Sequence, residues 1–156
     1  MKRPLLSVAA LCLAVSGGAL ANHQAPNLKA FKTVCVTGSF EEQGQQDDGV
    51  LGKLLGRLED ALDRAGIQAT ENCEVENGVS GRTQLNLYFE FTTTKSGTAF
   101  VCALDGWLNT SDTYTDVTLW HDSFFGSIEA GSGADQAADN LDELLDGFIE
   151  EWDSVH

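Results

Sequence analysis

A chain of 156 residues with 24 acidic and nine basic side chains, and hence a formal charge of −15, repels phosphate backbones and anionic lipid, so nucleic acid and acidic membrane surfaces are excluded as partners. The length suits a single domain with one core. The surplus charge favours solubility, cations or basic partners over any anionic ligand.

Met1–Ala21 carries Lys2 and Arg3, an apolar run from Leu5 to Val15 and a small-residue exit at Ala19-Leu20-Ala21. This pattern predicts a secretory signal peptide, too short and wrongly flanked for a membrane span. Residues 22–29 contain Pro26 and show no period, which predicts a flexible lead-in, and residues 30–156 are expected to form one α/β domain. The expected location is therefore secreted or periplasmic, in a bacterial cell envelope.

Ala30 to Gly38 predicts the first strand, and Gly38 to Gln46 a polar loop. From Asp48 to Gly66, Leu51, Leu54, Leu55, Leu58, Ala61, Leu62 and Ala65 recur at steps of three and four, the stripe of an amphipathic helix. Asp47 or Asp48 is placed to cap its start and Gly66 to end it. Gln68 to Val75 is a second strand, close enough to the helix to make a crossover with the two strands parallel. A turn follows at Asn77 to Arg82. Leu85, Leu87, Phe89 and Phe91 then alternate with Asn86, Tyr88, Glu90 and Thr92, giving one apolar and one polar face. Lys95-Ser96-Gly97 predicts a hairpin to a strand at Thr98 to Leu108. Another strand runs from Thr113 to His121 with Val117 and Leu119 inward, and Ser123 to Gly133 is an irregular link ending at Ser132, a potential cap. Ala134 to Trp152 is the last helix, with nine apolar residues on its stripe and acids elsewhere.

The predicted class is α+β, a two-layer sandwich in the order β-α-β-β-β-β-α, with a mixed, mostly antiparallel sheet of about five strands and two helices on one face. This element order resembles small periplasmic α/β domains of the TolB N-terminal and CsgG-like kind, and the resemblance implies a binding or assembly module rather than an enzyme.

Three cysteines follow the leader. Val34 and Val36 are expected in the core, which turns Cys35 to the opposite face, whereas Cys102 falls among inward residues. Residues on opposite faces cannot bond, so the expected disulfide joins Cys35 to Cys73 and leaves Cys102 a buried thiol. Cys35, Cys73, Cys102 and His121 show no metal-ligand spacing, and no cofactor is expected. A free amine at Asn22-His23 could hold copper weakly. Asn109 to Asp116 lacks the glycine and acids of a calcium loop, and Glu41 to Asp48 is the second place for weak divalent binding. Asn109-Thr110-Ser111 matches a glycosylation sequon.

His121-Asp122, with Trp120 and Asp116, is where a base, carboxylates and an aromatic meet in sequence, but no nucleophile is identifiable there and neither Ser127 nor Ser132 sits in G-x-S-x-G. Tyr88, Trp107, Tyr114 and Trp120 are expected on the uncovered sheet face, where amphipathic aromatics favour a protein partner. The leading expectation is a non-enzymatic accessory protein that binds another envelope or secreted protein, homo-oligomerisation being open. The alternatives are an enzyme with a site near His121 and a divalent-cation-binding envelope protein.

Overall fold

The computed structural model describes residues 24–70, 72–73, 83–108 and 117–156. The expected signal peptide, Asn22-His23, the turn at Asn77 to Arg82, the sequon, Tyr114 and Asp116 lie wholly or largely outside these residues.

Alternation in Gln84–Thr93 places Leu85, Leu87, Phe89 and Phe91 on one side, all fully buried. This strand is β4, preceded in the chain by α1 (Ala25–Leu28), β1 (Thr33–Glu42), β2 (Gln45–Gln46), α2 (Asp48–Arg64) and β3 (Gln68–Thr70). It is followed by β5 (Ala99–Leu108), β6 (Val117–Ser127) and α3 (Gly133–Asp153). The strands form one mixed sheet in the order β2-β1-β4-β5-β6, with β3 also beside β1. β1 is parallel to β3 and β4, and the remaining pairs are antiparallel. The predicted α+β architecture and the parallel strands flanking α2 are therefore present.

α2 lays Leu54, Leu58 and Leu62 on the sheet, and α3 adds Ala137, Leu141, Leu144, Leu145, Phe148 and Trp152 to the same core. Burying one leucine of this kind contributes ~1.5–3 kcal/mol relative to leaving it exposed. The two helices also touch at their surfaces, where Arg57 Nε donates to Asp142 Oδ1 at 2.6 Å and Arg57 Nη2 pairs with Asp142 Oδ2. Asp47 caps α2 by accepting the Gly49 and Val50 amides, each at 2.9 Å. At the other end Gly66, at φ 75°, turns the chain so that its amide reaches the Asp63 carbonyl and the Ile67 amide the Leu62 carbonyl, the paired closure of a Schellman motif.

The start of α3 differs from expectation. Ser132 Oγ bonds the Glu129 carbonyl instead of capping, and Glu42 of β1 accepts the Gly133 amide at 3.0 Å. The carboxylate does what the serine does not, and its charge suits the positive helix start. The far end of α3 is held as well: the Gln24 amide donates to Glu151 at 3.0 Å, and His156 Nε2 donates to the Phe31 carbonyl at 2.8 Å.

Three further differences have local causes. Ala25–Leu28 forms a helical turn where a flexible lead-in was expected, because Leu28 is fully buried. The polar loop contains a tight hairpin, β1 turning into β2 through Gln43 and Gly44 at positive φ. β6 runs on to Ser127, through the first five residues of the predicted irregular link, as a full partner of β5.

Candidate functional site

No helix among the described residues covers the side of the sheet opposite α2 and α3. The register sets out that open face as cross-strand rows. Cys35, Asn86, Trp107 and Thr118 make the first, and Thr37, Tyr88, Asp105 and His121 the second. Ser39, Glu90, Ala103 and Ser123 make the third, and Glu41, Thr92, Val101 and Phe125 the fourth. Polarity thus falls from the middle of the face towards the corner where Val101 and Phe125 pair.

At the first row, Cys35 and Cys73 form the expected disulfide, with Cα atoms 5.2 Å apart. Pairing of Thr70 with Cys35 brings the chain to this spot three residues before Cys73. Next to it Asn86, almost fully buried, accepts a hydrogen bond from Thr37 Oγ1 at 3.0 Å. Cys102 faces the core, fully buried and free. Burial pushes its thiol up to about 12.

Tyr88 and Trp107 lie on the open face as expected, their rings 5.0 Å apart and tilted at 46°. The Trp107 Nε1 atom is buried, with no hydrogen-bond partner among the described residues. Trp120 requires a correction. It belongs to the core face, 2% exposed, edge-on to Phe148 at 5.2 Å, with Nε1 donating to Glu151 at 3.2 Å. The cause is a register shift between Gly106 and Trp107: Gly106 pairs with Trp120 but Trp107 with Thr118, so Leu119 is an extra residue. A one-residue slip exchanges the two faces of a strand. Val117, which pairs with Leu108 ahead of the slip, is 43% exposed rather than in the core.

The same slip turns His121 outward onto Asp105. His121 Nδ1 donates to Asp105 Oδ1 at 2.7 Å, with the imidazole 47% and the carboxylate 20% exposed. A carboxylate holding Nδ1–H leaves Nε2 pointing away, the orientation that a general base requires. Ser123 is two residues along the same face, yet its described bond is from its amide to Asp122 Oδ1 at 2.8 Å. The surface depressions lie elsewhere, one along Thr92–Thr94 and Ala99–Val101 and another between α2 and α3 around Arg57 and Asp142.

Sequence reasoning missed Asp105 as the histidine's partner, and it missed Phe125, which is 84% exposed. Asp105 could have been found from its alternation with Trp107 in β5. Phe125 was hidden in a stretch whose serines and glycine suggested a link. Of the acids proposed for divalent binding at Glu41 to Asp48, Glu42 and Asp47 are engaged as helix caps. Among the described residues no three His, Cys, Asp or Glu side chains group as metal ligands, and no helix is long and apolar enough to cross a membrane.

No protein-family model and no curated protein matches the chain. A solved crystal structure of an uncharacterized protein aligns with a TM-score of 0.30 at 11% identity, covering 82% of this chain and 92% of its own. The resemblance to TolB N-terminal and CsgG-like domains is therefore corrected: the comparisons connect the chain to neither family. Shared element order alone is common among unrelated folds.

Proposed function

We propose that the protein is a non-enzymatic accessory component of the cell envelope, secreted or periplasmic, that binds another protein through the open face of its sheet. The observation that carries this reading is the pairing of Val101 with Phe125, 45% and 84% exposed, on a face no described helix covers. Large apolar side chains adjoining on an open sheet face favour a macromolecular contact, and Tyr88 and Trp107 extend the surface with residues that interfaces use. The Cys35–Cys73 disulfide supports an oxidising compartment.

The test is cross-linking in the native source followed by mass spectrometry, comparing the wild type with the double variant Val101→Ser, Phe125→Ser. A companion captured by the wild type and lost from the variant supports the reading. Identical capture by both, or none by either, ends it.

The contact between Asp105 and His121 favours a second reading, an enzyme using His121 as base. It is weaker because the pair stands on a sheet face rather than in one of the depressions described above, and a reacting atom there would meet water. An activity lost in His121→Ala and in Asp105→Ala would promote it. A third reading, cation binding, predicts a melting temperature that rises on adding calcium.

A further inference from the structure

We infer that the outer edge of β6, from His121 to Ser127, is the docking strand, and that its occupant is an extended segment of another protein carrying lysine or arginine at its flanks. This deepens the proposal above and rests on it.

Three independent observations converge on this edge. First, β6 ends the sheet, and after Leu119 its pairing with β5 is uninterrupted to Ser127. Its backbone is therefore straight enough to serve as a template on the side that no described strand pairs. Asn27 Nδ2 donates to the Leu119 carbonyl at 2.8 Å, so α1 occupies only the beginning of that side. Second, natural edges are guarded by lysine, proline, brevity, bulges or inward-pointing charge. β6 is 11 residues long and contains neither lysine nor proline, and its bulge at Leu119 and its inward Asp122, opposite Leu104, both lie before Ser123. Phe125, the most exposed large apolar side chain of the described residues, stands beyond these two guards.

Third, charge selects the occupant. No lysine or arginine occurs after Lys95, whereas thirteen acids do. Topology collects the described part of this lysine- and arginine-free stretch on one side, because β5, β6 and α3 adjoin one another. Asp122 reaches towards α3 at Gly147, and Glu129 stands two residues beyond the end of the strand. A second copy approaching edge to edge would bring a like-charged half against this one. A strand with basic flanks meets complementary charge at both ends, while the ladder supplies main-chain hydrogen bonds and Phe125 an apolar contact.

The test uses the purified chain and three synthetic peptides with a core of alternating valine and threonine. One is flanked by lysines, one by glutamates, and one is lysine-flanked with a proline at the centre of the core. The lysine-flanked peptide is expected to bind, to slow amide exchange along 121–127, and to weaken as salt is raised. Affinity should fall about tenfold or more for the glutamate-flanked and proline peptides, and likewise for the lysine-flanked peptide on Phe125→Ser. Equal binding of the lysine and glutamate forms overturns the inference, as does binding without protection of 121–127. Sedimentation showing a dimer with those amides already protected makes the occupant a second copy and also overturns it. If the peptides fail while cross-linking still depends on Val101 and Phe125, the edge assignment falls and the open-face reading stands.

Discussion

Gly38 of β1 faces the Phe89 carbonyl of β4 so closely that a Cβ on Gly38 would lie 2.5 Å from that oxygen and 3.3 Å from Leu55 Cδ2. The two strands and the helix above them meet at a point with no room for a methyl group. Gly38→Ala is therefore expected to destabilise the fold by ~1–3 kcal/mol, the usual cost of overpacking. Gly52, on the exposed side of α2, has no atom within 4 Å of its would-be Cβ, so Gly52→Ala should stabilise by ~0.5–1 kcal/mol. Chemical denaturation of both variants checks the pair; equal signs would contradict the packing described.

Cys35 and Cys73 are 38 residues apart in sequence. Closing a loop of that length restricts the unfolded chain by about 4 kcal/mol in the chain-entropy model. The variant Cys35→Ala, Cys73→Ala should unfold at correspondingly lower denaturant, with a drop of ~2–4 kcal/mol. A midpoint unchanged by removing both sulfurs would show that the bridge contributes nothing.

Cys102 is expected to be inert to thiol reagents at neutral pH in the folded protein and to react fully once unfolded, because burial pushes its thiol up to about 12. The sign of the pH effect follows. Between the unfolded value near 9 and the folded one, the unfolded chain has lost the proton and the folded chain keeps it. Stability from this group is thus complete below pH ~9 and declines as pH rises towards 12. Cys102→Ser should lack that part of the alkaline decline, as denaturation measured across pH 8–11 would show.

Arg57 and Asp142 join α2 to α3 at the surface, with side chains 46% and 50% exposed. The hydrogen bond to Asp142 raises the guanidinium's pKa, but so exposed a pair is screened and contributes little. Arg57→Ala is expected to cost under ~1 kcal/mol, less still at high salt. A larger loss by thermal denaturation would mean that the pair fixes the helix packing.

Legibility in the sequence followed the strength of local patterns. Leu85 to Phe91 alternates without a break and so gave its strand and both faces directly, and the spacing of Leu54, Leu58 and Leu62 did the same for α2. Parity was enough to pair Cys35 with Cys73, since no irregularity intervenes near Cys35. It failed at Trp120 and His121, because the extra residue at Leu119 carries no local signature and reverses everything after it. Ser132 is a good capping residue by type, but Glu42, 91 residues away, is supplied by tertiary structure and lay beyond any local rule. On the open face, Tyr88 and Trp107 were readable from alternation, whereas the meeting of Asp105 with His121 depends on strand register and was not.

The last helix begins on Glu42 and ends against Gln24 and Phe31, so the earliest described part of the chain clasps it at both extremities. Fraying from either tip must therefore break a tertiary hydrogen bond as well as helical ones. The first turn is tied to the end of β1, the last to the segment that leads into it, so loss of this early stretch loosens the helix at both extremities.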